Sequence, residues 1–167
     1  MKEISFHWKS WFAGFTAGDG CFGIVKYNLD NPRINYGCQF TIALRADDRG
    51  ILEEIHETLE LGKIFDRPAY PSGGRNNQAQ TAFKVQSIAD CAELVTLFEK
   101  YPLRAKKGRD FIIWKQAVAE LQKPIDERNT DLLDYYFLKI REVRKYDEPD
   151  ELPRPTIRVE QLVIEFI

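Results

Sequence analysis

Several features that define whole classes of protein are scarce in this sequence of 167 residues. The three cysteines, Cys21, Cys38 and Cys91, are too few and too scattered for a disulfide scaffold or a zinc site. No apolar run approaches the ~18 residues that a membrane span needs, and the N-terminal residues lack the apolar stretch of a secretory signal. These absences favour a reduced, intracellular protein that is not secreted and has no membrane partner.

The amino-acid composition is typical of one globular domain. Hydrophobic residues make up 44% of the chain and aromatic residues 13%, which is enough for a core without disulfides or a structural metal. Residues 147–155 are acidic and rich in proline, and a short apolar segment follows. We therefore predict one domain over residues 1–146, followed by a linker and a short C-terminal tail over 147–167.

The net charge of −2 at pH 7 hides an uneven distribution. Residues 20–46 carry three Lys or Arg against one Asp, and residues 61–86 carry four against one. Acidic residues are concentrated in 47–60 and 126–167 instead. Because a polyanion responds to the face that it meets rather than to the net charge, nucleic acid is not excluded as a partner.

Hydrophobic periodicity predicts two successive units of a helix and a hairpin, followed by further helices. This order predicts an α+β fold, αββαββα(α), in which one antiparallel sheet has helices on its back. We expect Asp47 or Asp48 to cap the second helix and Gly62 to end it. The predicted helices span 7–18, 49–60, 88–99, 110–122 and 127–145, and the predicted strands span 20–28, 33–45, 63–67 and 78–86, with a turn at 30–32 and a loop at 71–77.

The polar side of both hairpins is the first candidate binding surface. Alternation places Tyr36, Phe40 and Phe83 on the inner side, and it places amide and basic side chains on the other. Such side chains contact base edges and phosphates. The alternative is a face that is merely solvated, although solvation alone favours more Glu and fewer amides. The predicted DNA contacts are Arg33, Asn35, Gln39, Thr41, Arg45, Lys63, Arg67, Gln78, Gln80 and Lys84.

The first helix carries a second candidate site. Ala13, Gly14, Ala17 and Gly18 form one continuous small stripe, and glycine inside a helix costs about 0.8–1 kcal/mol relative to alanine. Close approach of another helix explains that cost, and if the partner is a second copy, two Asp19 carboxylates meet near a two-fold axis. Such a pair favours bound cations, and oxygen ligands suit Mg²⁺. In the alternative interpretation the glycines pack an internal helix and Asp19 is a turn residue.

The segment FAGFTAGDG at residues 12–20 resembles the LAGLIDADG motif of homing endonucleases. The following GCF, the segment FTIALRADDRGILEEI and the segment EKYPLRAKKGRDFIIWKQAV resemble that family in order and spacing, over roughly residues 8–120. The resemblance implies a sheet that forms a DNA-binding saddle. It also implies an intron-type, divalent-metal-dependent endonuclease that hydrolyses both strands of duplex DNA, in a bacterial cytoplasm or an organelle such as a chloroplast or mitochondrion. No small-molecule cofactor is implied.

Only one copy of the motif is present, and family members with one motif act as homodimers. The resemblance therefore implies an interface formed by Ala13, Gly14, Ala17 and Gly18 of each copy, and a near-palindromic site. A strand of ~10 residues spans ~33 Å, or about 10 base pairs, so a dimer would cover about 20 base pairs.

The family pattern also implies roles for individual residues. Asp19 matches the acidic metal ligand and Gly18 the backbone carbonyl ligand, with Mg²⁺ as the cofactor, Mn²⁺ able to replace it and Ca²⁺ bound without cleavage. Lys107 resembles the basic catalytic residue, and Lys106 takes that place if the register shifts by one.

Three positions depart from the family pattern. The polar position that orients water falls on Leu44, and a position that is sometimes basic falls on Asp48, with Arg45 and Arg49 beside it. Ala17 replaces an acid common at the sixth motif position, for which altered helix packing is the expected consequence. These departures keep open a family member that binds DNA or intron RNA without cutting, as a maturase or regulator. A second alternative is a dimeric module whose sheet face docks a protein.

Overall fold

The computed structural model describes residues 4–27, 35–69 and 78–145, with the backbone alone at Asn35. The described helices are α1 (Phe6–Asp19), α2 (Arg49–Leu59), α3 (Ile88–Lys100), α4 (Ala105–Gln122) and α5 (Thr130–Glu142), and the described strands are β1 (Gly20–Tyr27), β2 (Asn35–Arg45), β3 (Lys63–Arg67) and β4 (Gln80–Val85). Short 3₁₀ turns lie at Ala46–Asp48 and Ile125–Glu127. The predicted order of elements is confirmed.

The four strands form one antiparallel sheet in the order β1-β2-β4-β3. The two hairpins therefore join through their second strands, with Phe40 opposite Val85 and Arg45 opposite Gln80. Phe22, Phe40 and Phe83 lie on the side that the helices cover, called here the covered face. The opposite side, the open face, carries the alternate residues of each strand. This α+β architecture confirms the predicted fold class.

An aromatic cluster between the sheet and helices α1, α3 and α4 forms the centre of the core. Phe22 lies 5.0 Å from Trp114 between ring centroids, and Phe12 stacks on Phe98 at 5.6 Å. The indole N–H of Trp114 donates to the carbonyl of Gly23 at 3.2 Å, so its one polar group is satisfied. Large buried aromatic surfaces contribute most of the stability here, and they fix α1 and α4 relative to the sheet.

Helix α5 is attached to the covered face through a polar cluster. Asp134 accepts a hydrogen bond from Lys26 Nζ at 2.6 Å and another from the Tyr36 hydroxyl. In the preceding connection, the buried Glu120 carboxylate accepts from the Asn129 N–H at 2.7 Å and pairs with Lys123. The Asp134 contacts join α5 to strands β1 and β2, and the Glu120 contacts hold the connection between α4 and α5.

Several predicted boundaries are wrong. Helix α4 begins at Ala105 rather than at 110, so the lysines of the basic patch lie in its first turns. Helix α2 ends at Glu60, which adopts the left-handed conformation, and Gly62 follows with a φ of 69° of its own. Asp48 occupies the N-cap position of α2 without a side-chain capping bond. The predicted turn at 30–32, the loop at 71–77 and the segment 147–167 lie outside the described residues.

Candidate functional site

The small-residue helix ends where the first strand begins, and Asp19 is its last residue. The Gly20 N–H donates to the Thr16 carbonyl, which closes the helix. A methyl group at Gly20 would lie 2.6 Å from that carbonyl oxygen, so only glycine permits this abrupt change from helix to strand. Gly20 pairs with Ile42 in the sheet, which places the exposed Asp19 at the end of the sheet, beyond Ile42 and beside Ala43.

The oxygen atoms at this helix end fit part of a magnesium site. Asp19 offers an exposed carboxylate, and Gly18 belongs to the last turn, whose carbonyls lack intrahelical partners. The negative end of the helix dipole also favours a cation. Within residues 4–27, 35–69 and 78–145, no three His, Cys, Asp or Glu side chains cluster as a metal site. The described residues of this chain therefore supply few of the ligands that a divalent cation needs.

Lys107 lies next to this helix end. It lines a cleft of about 360 Å³ together with Ala17 of α1 and Cys21 of β1. Its side chain is half-buried in the first turn of α4, whereas that of Lys106, which lines the same cleft, is exposed. The structure therefore brings the predicted basic residue to the elements that flank Asp19.

Sequence reasoning missed another basic residue in this cleft. Arg144 follows α5, and its Nε donates to Asp110 Oδ2 at 3.0 Å while a terminal nitrogen donates to the carbonyl of Phe22. Asp110 is only 6% exposed. The arginine thus joins α4, α5 and β1 beneath the cleft. Its separation of 34 residues from Asp110 left no local pattern that could reveal the pair.

Leu44 and Asp48 do not supply the groups that the family pattern has at their positions. Leu44 is on the covered face, half-buried against the core, so it cannot orient water at the open face. Asp48 is exposed at the start of α2. The neighbouring Arg45 is on the open face, where its guanidinium pairs with Asp47 at 2.7 Å. Arg49 instead pairs with Glu53 and Asp66 at the edge of the sheet.

The open face carries most of the predicted DNA contacts that the structure describes. Thr41, Lys84 and Lys63 form one row across β2, β4 and β3, and Arg45, Gln80 and Arg67 form another. Arg67 donates to the side-chain oxygen of Gln80. Gln78 precedes β4 and is exposed. Gln39 is on the open face of β2, Arg33 lies outside the described residues, and the side chain of Asn35 is not described.

Charge on this face has one sign. No Asp or Glu is on the open face among the described residues of the four strands. Asp66 points to the other side, where Thr81 donates to it at 2.9 Å and Arg49 pairs with it; these hydrogen bonds lower the pKa of its carboxyl. Among the described strand residues, the open face thus carries four cations and no carboxylate, and Arg45 pairs with Asp47 just beyond the end of β2.

Several open-face residues were not predicted. Tyr27 and Phe65 are 43% and 44% exposed there, and Lys84 Nζ lies 5.3 Å from the Phe65 ring centroid. Cys21, Gly23 and Val25 complete the open face of β1. Alternation along β1 could have identified them, but the two glycines in that strand weaken the apolar pattern on which the phase depends.

The small stripe of α1 divides into two parts. Ala13 is only 7% exposed and packs in the core of its own chain, and Ala17 is half-buried beside the lysine cleft. Gly14 and Gly18 are exposed, and a methyl group added to either would meet nothing within 4 Å among the described residues. Internal helix packing therefore does not explain these two glycines.

Comparison with known proteins identifies the family. A family model described as LAGLIDADG endonuclease matches residues 12–118. This chain belongs to the LAGLIDADG endonuclease family. The match begins at Phe12 in α1 and ends at Val118 in α4, so α5 and Arg144 lie outside it.

Two of the similar curated proteins are fungal proteins named as probable intron-encoded endonucleases. "Probable intron-encoded endonuclease Cox1-I1b" of Schizosaccharomyces pombe is 26% identical over 117 residues, covering 70% of this chain and 28% of that protein. "Probable intron-encoded endonuclease 2" of Neurospora crassa is 31% identical over 115 residues, covering 66% and 24%. The chain thus spans less than a third of the length of these two relatives.

Solved structures give the same fold. The LAGLIDADG meganuclease I-AabMI, bound to uncleaved DNA, matches with a TM-score of 0.62 and 26% identity, covering 79% of this chain and 42% of that one. The archaeal intron-encoded homing endonuclease I-Vdi141I, complexed with DNA, matches with a TM-score of 0.66 and 18% identity, covering 86% and 89%. In the part of the chain that the structure describes, no helix is both long and apolar enough to cross a membrane.

Proposed function

We propose that this LAGLIDADG protein is a site-specific endonuclease that cleaves both strands of a long, near-palindromic DNA duplex as a homodimer. The observation that carries the proposal is the position of Asp19. It is an exposed carboxylate at the end of a helix with two open glycines, beside the Lys107 cleft and at the end of a basic, acid-free sheet face. The named DNA complexes of the structural neighbours support the same ligand class.

The open face is the DNA-binding surface in this proposal. Strand β2 has 11 residues, so it spans about 36 Å, which corresponds to about 10 base pairs. Two copies would cover about 20 base pairs. Lys63 and Lys84 supply phosphate contacts, whereas the amides of Gln39 and Gln80 can contact base edges in the major groove.

The homodimer places two copies of α1 against each other. Gly14 and Gly18 have room for a neighbouring backbone, which is what close packing between helices requires. One unit of this size corresponds to 42% of the I-AabMI chain and to 89% of the I-Vdi141I chain. Both proportions are compatible with two such units on one duplex. The two-fold axis then brings two Asp19 carboxylates together and makes the preferred site near-palindromic.

Asp19 and the Gly18 carbonyl would hold the divalent ion. When bound, Mg²⁺ supplies an activated water and stabilises the leaving oxygen of the phosphodiester. Mn²⁺ fits the same oxygen ligands, and we propose that Ca²⁺ binds there without supporting cleavage. Lys107 stabilises the additional negative charge on the phosphate from its half-buried position at the start of α4. Its place at the positive end of that helix adds to the local potential.

A second candidate function is DNA or intron RNA binding without cleavage, as in a maturase. The covered-face position of Leu44 and the acidic Asp48 favour it, because two groups of the family pattern are then missing around the reacting phosphate. Asp19 and Lys107 favour cleavage. For location, we propose a bacterial cytoplasm or an organelle; one relative, RF1 of Saccharomyces cerevisiae, is mitochondrial by name.

The decisive experiment is the Asp19→Asn substitution in the full chain. Target duplexes are first selected by binding from a randomised library, and nicking and double-strand cleavage are then measured with Mg²⁺, Mn²⁺ and Ca²⁺. The variant should bind as well as the wild type or slightly better, because two carboxylates near phosphates are removed. Cleavage should fall by several orders of magnitude and should not recover at higher Mg²⁺ concentration.

The matched control is Asp131→Asn, which removes an exposed carboxylate from the first turn of α5. It should leave both binding and cleavage unchanged. Cleavage by Asp19→Asn at a near wild-type rate would make Asp19 a turn residue and overturn the catalytic assignment. Binding without cleavage by the wild type would favour the maturase function instead.

A further inference from the structure

The open face of the β1–β2 hairpin differs from that of the β3–β4 hairpin. Strands β3 and β4 carry three of the open-face cations, whereas the described open-face side chains of β1 and β2 are uncharged except for Arg45 at the end of β2. Among the described side chains of this face of the first hairpin, charge pairing with phosphates is therefore confined to Arg45. The other described side chains there can contribute only hydrogen bonds and apolar contacts, which are the contacts that distinguish bases.

Two glycines on this hairpin leave gaps that a neighbouring strand's side chain fills. Gly23 of β1 lies opposite Gln39 of β2, and a methyl group at Gly23 would lie 2.8 Å from Gln39 Cγ and 3.0 Å from its Nε2. A methyl group at Gly37 would lie 3.1 Å from a ring carbon of Tyr27. The side chains of Gln39 and Tyr27 therefore lie flat across the sheet, each over a glycine.

Backbone conformation does not require glycine at position 23. Gly23 is not among the residues with positive φ, and a strand accepts alanine readily. A side chain at position 23 would need the space in which the amide of Gln39 lies. Glycine therefore allows a placement of the Gln39 amide that a larger residue would exclude, and an amide in that place can pair its donor and acceptor with one base.

We propose that Gly23 is a specificity-determining positioning residue, which leaves the space for the Gln39 amide to lie across strand β1, where the amide contacts a single adenine in the major groove. Adenine is the base whose N6 donor and N7 acceptor match a glutamine amide in a bidentate pair. The inference rests on the proposed DNA-binding function of the open face. It does not depend on cleavage, because it concerns binding alone.

The test measures binding of the full-length protein to duplex libraries randomised at every position, in Ca²⁺. Gln39→Ala should lower the preference for A·T at one base pair of each half-site by about 5- to 150-fold. Gly23→Ala should lower the preference at that same base pair, because its methyl group displaces the amide. The Gly23→Ala/Gln39→Ala double variant should be no less selective than Gln39→Ala alone, because both substitutions remove the same base contact.

Gly37→Ala is the matched control, because it adds the same methyl group on the neighbouring strand beneath Tyr27 instead of Gln39. It should leave the Gln39 base pair unchanged. All variants should unfold within a few degrees of the wild type and keep its salt dependence, since no charge is altered.

Three results would overturn the proposal. One is a Gly23→Ala variant that retains the preference that Gln39→Ala loses. Another is a Gly23→Ala variant that fails to fold, which would make the glycine a structural requirement. The third is a Gln39→Ala variant with unchanged selectivity. A wild-type protein that binds every duplex alike would overturn both this inference and the proposed function, whereas sequence-specific binding without cleavage would leave this inference standing.

Discussion

After Asp19, Lys107 is the residue whose position and charge best fit the role in cleavage that we propose for it. It lies half-buried at the start of α4 and lines a cleft with Ala17 and Cys21. We expect Lys107→Met to slow cleavage by about 10²–10³-fold, the effect of removing one electrostatic stabiliser, while the dependence on divalent ion concentration stays the same. Single-turnover cleavage over a range of Mg²⁺ concentrations measures both quantities.

Two other lysines of α4 serve as controls for this substitution. Lys115→Met removes a lysine that pairs with Glu99 away from the cleft, and it should leave the cleavage rate unchanged. Lys106→Met should have a smaller effect than Lys107→Met. A larger effect of Lys106→Met would transfer the catalytic role to Lys106, one position earlier.

We expect the buried hydroxyl of Thr16 to lower the free energy of unfolding. It is fully buried in α1, and its hydroxyl has no hydrogen-bond partner in the described part of the chain. Thr16→Val replaces that hydroxyl with a methyl group of similar size, so the free energy of unfolding should rise by about 1 kcal/mol. Urea unfolding at pH 7 measures the change.

Thr81→Val is the matched control for Thr16→Val. Thr81 is also buried, but its hydroxyl donates to Asp66 at 2.9 Å, so the same substitution should lower the free energy of unfolding. Equal effects of the two substitutions would mean that the Thr16 hydroxyl has a partner after all.

At the scale of single residues, the sequence predicted the face of the sheet on which a side chain lies better than it predicted which residues that side chain contacts. Alternation placed Gln39, Thr41 and Lys84 on the open face correctly, because one buried side fixes the phase of a strand. It could not show that Gln39 lies over Gly23, since that contact depends on the pairing between β1 and β2. The burial of Ala13 in the core of its own chain was not predicted, because a stripe of small residues does not show which of its members pack inside that chain.

At the scale of elements, the sequence predicted every described helix and strand but not all of their ends. Helix α4 begins before residue 110 and includes Gly108, which resembles a loop residue locally but packs closely against the Leu103 carbonyl. Helix α5 was predicted as a helix, yet nothing local showed that it docks on β1. Its attachment depends on Asp134, which is 108 residues from Lys26 and 98 residues from Tyr36 in the sequence.

The attachment of α5 predicts a dependence of stability on pH. Hydrogen bonds from Lys26 and then Tyr36 lower the pKa of the Asp134 carboxyl below its ordinary value. A lowered pKa in the folded state means that the ionised carboxylate stabilises the fold above about pH 4, and that this contribution is lost as the pH falls through the lowered pKa. Asp134→Asn should therefore lower the free energy of unfolding at pH 7 and should matter progressively less below pH 4.

Urea unfolding of wild type and Asp134→Asn at pH 7, 4 and 3 tests this expectation. Asp126→Asn, in the exposed 3₁₀ turn before α5, is the control and should unfold like the wild type throughout. A difference between wild type and Asp134→Asn that stays constant from pH 7 to pH 3 would contradict the assignment of the stabilisation to the ionised carboxylate.

At the scale of the whole molecule, one subunit presents incomplete features on two surfaces. The open face is about 10 base pairs long and has most of its described cations on β3 and β4, and the helix end offers one carboxylate where a metal site needs several oxygens. The exposed glycines of α1 lie beside that helix end. A second subunit packed on α1 would complete both features at once, since it would double the basic face and bring a second Asp19 to the first.

This geometry makes the glycines a direct test of assembly. Gly14→Leu and Gly18→Leu add side chains where a methyl group meets nothing within 4 Å among the described residues, so each variant should fold and keep the circular dichroism spectrum of the wild type. A leucine there cannot fit between two closely packed helix backbones, and each variant should therefore sediment as a monomer. Gly50→Leu, at an exposed helical glycine of α2 that is equally open, is the matched control and should remain a dimer. Double-strand cleavage should disappear in the two α1 variants and persist in the control. A wild-type protein that sediments as a monomer both without DNA and with its selected duplex would contradict the homodimer.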